Sequence, residues 1–276
     1  MSDLKGIKAV IFDWAGTTVD YGCLAPTKVF IDVFKSEGIE ITNTEVRGPM
    51  GRAKFDHVKE LCKLNSVREQ WMDRFGYFPS EADEVKLYKK IEPAMASLAE
   101  KYAVPIKGTI ELQRELKYQN IKIGSTTGYV DSIMKNVMAT AASYGYTPDT
   151  VVTSSDVIAG RPAPYMCYLN ALRLQVYPLN QIVKIGDTVA DIQEGLNAGM
   201  WTIGITQTGN EVGFGEKEIR KIYKPEIKRR ITAAELKLKD AGAHFIVEGI
   251  WDCLSVLEQI ALRIRKGEVP LPAISF

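Results

Sequence analysis

Short apolar runs alternate with amphipathic segments along most of the second half of this chain. Residues 182–186, for example, are mostly apolar and are followed directly by polar residues. Runs of this length, bounded by turn signals, are typical of strands buried on both faces. The other predicted strands are residues 9–12, 121–125, 151–153, 202–205 and 244–247. Predicted helices lie between them, at residues 109–119, 130–144, 165–174, 190–198, 216–240 and 250–263. This alternation predicts an α/β fold with a Rossmann-like parallel sheet core flanked by helices.

The pattern changes between the first strand and residue 102. Helix formers and charged residues predominate there, and strand-like runs are few. Helices are predicted at residues 26–35, 49–64, 66–75 and 80–102, the second with Pro49 at its favoured first position. We therefore predict an all-helical cap domain at residues 23–102, inserted into an α/β core domain formed by residues 1–22 and 103–276.

Composition narrows the classes of function. The chain has 276 residues, a net charge of +1 and 25% charged residues, so nothing suggests a nucleic-acid partner or an anionic membrane surface. Its four cysteines are scattered without metal-ligand spacing, which argues against a zinc site and favours reduced thiols. We see neither a signal-peptide pattern nor a stretch apolar enough to span a membrane, and expect a cytoplasmic protein.

Asp13 follows the first predicted strand directly, and Gly16, Thr17 and Thr18 come next. Ligands of open α/β sheets bind at the carboxyl ends of the strands. A carboxylate at that position can act as a nucleophile beside a phosphate-binding turn. An ordinary turn in which Asp13 only caps the next segment fits this stretch equally well.

Three later strand ends also carry polar residues. Thr127 and Gly128 follow one strand, and a hydroxyl and a close backbone approach there suit a phosphoryl group, although a plain turn is the simpler interpretation. Arg161 lies in a loop, where most arginines are solvated, but it could instead bind phosphate. Asp187 and Asp191 follow a buried strand, and oxygen ligands of this kind suit magnesium.

Taken in order, these residues resemble the four motifs of the haloacid dehalogenase superfamily, whose nucleophile is the Asp at the end of the first strand. The resemblance extends over nearly the whole chain. It implies that Asp13 attacks phosphorus and that Thr127, Gly128 and Arg161 bind the phosphoryl group.

The same resemblance implies a magnesium ion. Its ligands would be the Asp13 carboxylate, the Ala15 backbone carbonyl and Asp187, and Asp191 would support the metal site from outside. Position 15 departs from the common pattern, because the phosphatases of the superfamily carry a second Asp there as general acid and base. Ala15 therefore argues against ester hydrolysis and resembles the phosphonatase branch.

The predicted cap contains Met50, Gly51, Lys54 and His57. In one continuous helix, Met50, Lys54 and His57 would share a face. A solvated Lys and a core Met are the common alternatives. The segment resembles the phosphonatase cap, in which the equivalent Lys forms a Schiff base with the substrate aldehyde. We expect His57 to carry protons.

Two further residues are expected to line the same site: Cys23, next to the start of the cap, and Tyr129 after the second strand. The implied activity is magnesium-dependent hydrolysis of the P–C bond of phosphonoacetaldehyde to acetaldehyde and phosphate, in 2-aminoethylphosphonate degradation. It would proceed through a Lys54 Schiff base and an Asp13 aspartyl-phosphate. The resemblance also implies a homodimer formed through the cap. A phosphate ester phosphatase, a phosphoglucomutase-like enzyme and a catalytically silent binding module remain the alternatives.

Overall fold

A computed structural model describes residues 2–270 and contains a six-stranded, fully parallel sheet. The predicted α/β fold class is confirmed, whereas the outermost ends of the predicted core domain, residue 1 and residues 271–276, lie outside the described part. The strand order is β3-β2-β1-β4-β5-β6. The strands are β1 (Ala9–Phe12), β2 (Lys122–Thr126), β3 (Thr150–Val152), β4 (Ile182–Gly186), β5 (Trp201–Ile205) and β6 (Phe245–Val247).

Five helices lie between β1 and residue 102, and no strand occurs in that part of the described chain. They are α1 (Leu24–Ser36), α2 (Asn43–Arg47), α3 (Lys54–Cys62), α4 (Asn65–Phe75) and α5 (Glu81–Tyr102). The helices of the second part are α6 (Thr109–Tyr118), α7 (Asp131–Ser143), α8 (Tyr165–Leu174), α9 (Val189–Asn197), α10 (Glu216–Ile219), α11 (Lys224–Asp240) and α12 (Cys253–Arg265). The division into cap and core domains stays a prediction.

Two predicted helices are wrong in extent. The helix predicted at residues 49–64 is interrupted, because Gly51 has a φ of +89°, which lies outside helical geometry. Residues 48–53, here called the cap loop, separate α2 from α3, so Pro49 does not begin a helix. The segment 216–240 forms α10 and α11, because Pro225 is accommodated in the first turn of a helix and not in its interior.

Apolar packing joins the helices before residue 102 to the rest of the molecule. One buried cluster runs from Phe30 and Phe34 of α1 through Leu87 and Ile91 of α5 to Ile133 of α7. The two faces of the sheet are covered by separate apolar clusters. No helix among residues 2–270 is both long and apolar enough to cross a membrane.

The sheet order brings the motif-bearing strand ends together. β1 lies between β2 and β4, and its last residue, Phe12, pairs with Ser125 and Ile185. The residues that follow these three strands therefore meet at one edge of the sheet, as the sequence predicts.

Candidate active site

Asp13 is buried at the carboxyl end of β1. Its backbone N–H donates to the Ile185 carbonyl at 2.9 Å, and its Oδ1 lies 2.8 Å from Arg161 Nη2. Burial and the neighbouring Asp191 carboxylate raise the pKa of Asp13 to about 6, despite the opposing effect of Arg161. A carboxylate held by one cation and facing a cavity can act as a nucleophile.

Asp13, Asp187 and Asp191 form an acidic cluster in which one oxygen from each lies within 4.8 Å of the others. Asp187 accepts hydrogen bonds from Thr17 Oγ1 (3.1 Å) and the Asn210 N–H (2.8 Å). Burial and the two other carboxylates raise the pKa of Asp187 well above its usual value. This crowding of like charges is what a bound cation would relieve.

Two buried cations partly offset the negative charge. The Lys184 ammonium lies 2.7 Å from Asp191 Oδ1 and 3.4 Å from Glu194 Oε2, and Arg161 contacts both acids as well. When all these groups are ionised, four carboxylates face two cations. The excess of two negative charges matches one divalent cation. The carboxylates are Asp13, Asp187, Asp191 and Glu194, and the cations are Lys184 and Arg161.

The oxygen donors around this cluster fit a divalent metal ion. The Cys23 thiol is within hydrogen-bond distance of the Ala15 carbonyl (3.0 Å) and of Asp187 Oδ2 (3.3 Å), so these two oxygens lie on the same side of the cluster. A Cβ on Gly16 would lie 2.5 Å from Asp187 Oδ2, so this turn has room only for glycine. Both carboxylate oxygens of Asp191 already have partners. Its Oδ1 contacts Arg161 and Lys184, and its Oδ2 accepts a hydrogen bond from Thr188 Oγ1 at 2.6 Å.

Arg161 has no uncommitted donor in this structure. Besides its contacts with Asp13, Asp191 and Glu194, it donates to Thr126 Oγ1 (2.6 Å) and the Gly51 carbonyl (3.3 Å). These contacts use all five N–H groups of a guanidinium. The arrangement thus supports charge neutralisation at Asp13 more directly than a grip on a phosphoryl oxygen.

Lys54 begins α3 and is buried, with no carboxylate of the described residues within ion-pair distance of its Nζ. Nζ lies 4.0 Å from Met50 Sδ and 5.0 Å from the centre of the Tyr129 ring. Met50 belongs to the cap loop and not to the helix, yet it still contacts Lys54. Burial, aided by Arg161, lowers the pKa of Lys54 to about 8. A substantial fraction of this amine is therefore neutral near pH 8.

His57 lies one turn after Lys54, and its ring is held on the side of α1. Nε2 contacts the Val46 carbonyl at 2.8 Å, and the ring stacks on Phe30 with 4.0 Å between centres. A carbonyl partner requires Nε2 to carry the hydrogen, which leaves Nδ1 as an acceptor without a partner in the structure. Burial, followed by the nearby Lys54 charge, holds the pKa of His57 well below its usual value.

A narrow cavity of about 20 Å³ lies between the cap loop and the strand ends, so the site is nearly closed in this structure. It is lined by all seven residues predicted to bind substrate and by Asp13, Ala15 and Lys54. His57, Asp187 and Asp191 do not line it. Pro26 and Thr188 line it without having been predicted. The seven residues are Cys23, Met50, Gly51, Thr127, Gly128, Tyr129 and Arg161.

The cap loop rests directly on the strand ends. A Cβ on Gly128 would lie 2.3 Å from the Arg52 carbonyl oxygen and 3.1 Å from that of Gly51. Gly128 therefore provides a close backbone approach, as the sequence suggested, but toward the loop that closes the cavity.

The sequence analysis did not predict three further residues beside the acidic cluster: Lys184, Glu194 and Thr126. The Thr126 hydroxyl lies 3.2 Å from Glu194 Oε2. One signal was present in the sequence. Lys184 occupies the middle of an otherwise apolar strand, and a lysine buried there requires an acidic partner.

The chain is similar over most of its length to known proteins. A family model described as haloacid dehalogenase-like hydrolase matches residues 7–199. The chain is 44% identical to phosphonoacetaldehyde hydrolase of Nitratidesulfovibrio vulgaris, over 97% of this chain and 95% of that protein. A bifunctional phosphonoacetaldehyde hydrolase/aminoethylphosphonate transaminase of Clostridioides difficile is also similar. The two sequences are 45% identical over a region that covers 95% of this chain and 41% of that protein. The crystal structure of a phosphonoacetaldehyde hydrolase-like protein from Oleispira antarctica superimposes with a TM-score of 0.94 at 36% identity, covering 98% of both chains.

Proposed function

We propose, from the premise that this chain belongs to the haloacid dehalogenase-like hydrolases, that it hydrolyses the P–C bond of phosphonoacetaldehyde to acetaldehyde and phosphate. The observation that carries the proposal is the shared cavity of Lys54 and Asp13, an amine with a lowered pKa and a carboxylate nucleophile. The names of the relatives at 44% and 45% identity support the same substrate.

The first step is the formation of an imine. The neutral Lys54 amine adds to the aldehyde carbon, and uptake of one proton followed by loss of water gives a protonated imine. The imine is an electron sink, which the P–C bond needs because its cleavage would otherwise leave an unstabilised carbanion. Burial disfavours the ammonium form of Lys54 and so supplies the neutral amine that this step needs.

The second step transfers the phosphoryl group to Asp13. The Asp13 carboxylate attacks phosphorus, the P–C bond breaks, and its electron pair forms the C=C bond of an enamine while the imine nitrogen becomes neutral. Arg161 offsets charge at Asp13 through its 2.8 Å contact, and the Thr127 hydroxyl, which lines the cavity, donates to a phosphoryl oxygen.

We propose Mg²⁺ as the cofactor, held by the Asp13 carboxylate, the Ala15 carbonyl and Asp187, with Asp191 in support. A bound divalent cation would supply positive charge beside the phosphoryl oxygens. The three clustered carboxylates and the excess of two negative charges favour a hard cation of this type.

The last steps release the products. Protonation of the enamine carbon regenerates an imine, and water then frees acetaldehyde and Lys54. A second water hydrolyses the aspartyl-phosphate and restores Asp13. We assign proton transfer at the imine to His57, whose unpartnered Nδ1 can accept a proton one helical turn from Lys54.

Ala15 argues against the alternative of an ester phosphatase or a phosphoglucomutase-like enzyme. Departure of an alkoxide requires a proton from a neighbouring acid, whereas an enamine forms without one. At position 15 the cavity is lined by the methyl group of Ala15, which cannot donate a proton. The intact cluster of Asp13, Asp187 and Arg161 argues against a silent binding module.

We further propose a homodimer formed through residues 23–102. Aromatic side chains at the turn between α4 and α5, Phe75, Tyr77 and Phe78, are 37–48% exposed and would be buried by such contact. We place the reaction in 2-aminoethylphosphonate degradation, after a transamination, and in the cytoplasm, where the four free, buried cysteines stay reduced.

The test is an assay of both products from phosphonoacetaldehyde, with phosphate and acetaldehyde measured in parallel. We expect equal amounts of each, loss of turnover after chelation, and recovery with Mg²⁺. Asp13→Asn removes the nucleophile and should abolish release of both. Phosphate release without acetaldehyde, or release by Asp13→Asn at the parent rate, would contradict the proposal.

The Schiff base is tested separately. Borohydride added with substrate should inactivate the protein and leave a two-carbon adduct on Lys54 in peptide mapping. Lys54→Arg should lose P–C cleavage by about 10³-fold or more, because a guanidinium stays protonated. Lys63→Arg, an exposed substitution just after α3, is the matched control and should keep its activity. An adduct on another lysine would refute the assignment.

A further inference from the structure

Arg47 is the last residue of α2 and immediately precedes the cap loop. Its guanidinium is seated against residues 206–215, here called the core loop, which follow β5. Nη1 donates to the carbonyls of Gly22 (3.0 Å) and Asn210 (2.9 Å), and Nη2 donates to that of Gly213 (3.0 Å). Gly213 has a φ of +68°, and a Cβ there would lie 2.6 Å from Arg47 Cζ. The core loop is thus shaped to receive this side chain.

Asn210 forms hydrogen bonds with both Arg47 and the acidic cluster. Its Nδ2 donates to the Arg47 carbonyl at 3.0 Å, and its Oδ1 lies 3.3 Å from Arg47 Nη1. Its backbone N–H donates to Asp187 Oδ2 at 2.8 Å. A Cβ on Gly209 would lie only 2.6 Å from Asp187 Cβ, so the core loop packs tightly on that carboxylate. Asn210 is therefore bonded both to Arg47, which directly precedes the cap loop, and to Asp187.

We propose that Arg47 and Asn210 form a latch that couples closure of the cap loop to the placement of Asp187. The inference rests on the proposed function for its catalytic consequence. The cap loop carries Met50 and Gly51 and leads directly into Lys54. Closing the latch brings the Lys54 amine over the cavity and fixes Asp187 in the same event. Arg47 and Asn210 are positioning residues, since neither lines the cavity.

The latch must open during each turnover. The carbonyls of Gly51 and Arg52 lie against Arg161 and Gly128, so the cap loop covers the cavity and has to move before substrate enters. Within the described residues, no carboxylate forms an ion pair with Arg47; its partners are carbonyl oxygens. Neutral partners separate at a lower electrostatic cost than a buried ion pair does, which suits a contact that is made and broken repeatedly.

Coupling of this kind is reciprocal. If closure helps to place Asp187, a cation bound at the acidic cluster must in turn favour the closed loop. This consequence can be measured without substrate and without turnover. The readout is amide hydrogen exchange of residues 48–54 in the full chain, with and without Mg²⁺ as the only added ligand.

We expect Mg²⁺ to slow exchange of this segment in the parent protein by about tenfold, the size of an ordinary allosteric coupling. Arg47→Lys keeps the charge but cannot reach three carbonyls with one rigid fork, so the effect of Mg²⁺ should vanish. Asn210→Ala keeps the backbone donor to Asp187 while losing both side-chain contacts with Arg47. It should lose the effect as well, and it decides the matter if Arg47→Lys does not fold.

Arg52→Lys is the matched control, because Arg52 lies in the same loop but its side chain pairs with Glu60 of α3. It should keep the full response to Mg²⁺. The latch would be overturned if Mg²⁺ slowed amide exchange of residues 48–54 in Arg47→Lys and Asn210→Ala as much as in the parent protein. It would also be overturned if Mg²⁺ did not change this exchange in the parent protein.

Turnover provides an independent measurement. We expect kcat for P–C cleavage to fall about 10²-fold in Arg47→Lys, since small misplacements of reacting groups have effects of this size, while KM changes little. An unchanged kcat would overturn the latch. If the parent protein does not cleave phosphonoacetaldehyde at all, the proposed function fails, and the exchange experiment still decides whether the latch exists.

Discussion

The protonation state of Lys54 controls the proposed imine chemistry. Burial removes water from the ammonium form, and Arg161 adds positive charge nearby, so the pKa of this amine falls to about 8 from an ordinary value of 10.5. The same shift opposes folding whenever the group is charged. Its cost is therefore greatest below pH 8 and disappears as the pH rises toward 10.5.

We expect imine formation at Lys54 to become about tenfold faster between pH 7 and pH 9 and then to level off, because the neutral fraction follows a pKa of about 8. The measurement is trapping with acetaldehyde and borohydride, quantified by mass spectrometry, which avoids phosphoryl transfer. Nα-acetyl-lysine in the same buffers is the control, and its rate should keep rising beyond pH 9. Parallel profiles for the two amines would show that the site does not lower the pKa.

Position 15 lines the cavity together with Lys54, and Ala15 contributes a methyl group there. We expect Ala15→Asp to gain little ester hydrolysis, since the cavity offers an amine suited to aldehydes and no evident group for an ester alcohol. The added carboxylate should also raise the pKa of Lys54 and reduce P–C cleavage by about tenfold or more. Assays with p-nitrophenyl phosphate and phosphonoacetaldehyde test both effects. A large gain in ester hydrolysis would mean that position 15 alone separates the two chemistries.

At the level of elements, the cap loop and the turn after β2 form one packed unit. Because a Cβ at Gly128 would lie 2.3 Å from the Arg52 carbonyl oxygen, Gly128→Ala must push the loop away from the strand ends. We expect kcat to fall by about 10²-fold, with the thermal unfolding temperature nearly unchanged. Steady-state assays and calorimetry measure the two quantities.

Gly48→Ala is the control for that substitution. Gly48 lies in the same loop, has a φ of −54° and would place its Cβ no closer than 3.4 Å to other atoms. It should retain the parent rate. Equal losses in the two variants would mean that any added side chain in this region is harmful, and would remove the special role of the Gly128 contact.

On the scale of the whole molecule, the buried charge cluster links metal binding to stability. Three carboxylates pair with Arg161 and Lys184, and Asp187 adds a fourth negative group to the cluster, so a bound divalent ion should stabilise the folded state. We expect saturating Mg²⁺ to add about 2.7 kcal/mol to the free energy of unfolding at a concentration 100 times its Kd. Thermal or denaturant unfolding with Mg²⁺ and with EDTA gives the difference.

Asp187→Asn should remove that Mg²⁺-dependent gain, because it eliminates a proposed ligand and part of the excess negative charge. Asp73→Asn, on the exposed side of α4, should show the full gain. If Asp187→Asn is stabilised by Mg²⁺ as strongly as the parent protein, the ion binds elsewhere.

Most of the element pattern was contained in local sequence. Fully buried parallel strands have continuous apolar runs, and amphipathic helices have a 3.6-residue period, so β4 and α8 were predicted to the residue. The strand-end positions of Asp13, Thr127 and Asp187 followed as well, because parallel strands align their carboxyl ends. The single helix predicted at residues 49–64 was wrong, since the φ of +89° at Gly51 depends on the fit of the loop against Thr188 and Arg161.

Only the tertiary structure decided how the charges are shared. The packing of α9 against β4 determines which carboxylate pairs with Lys184. The five N–H donors of Arg161 contact acceptors in four separate segments of the chain. The same holds for His57, whose ring direction is set by Val46 and Phe30, and for the contact between Arg47 and Asn210. Local sequence specifies backbone conformation and burial, whereas these pairings join residues distant in the chain, and their energies depend on distance and burial that exist only in the folded protein.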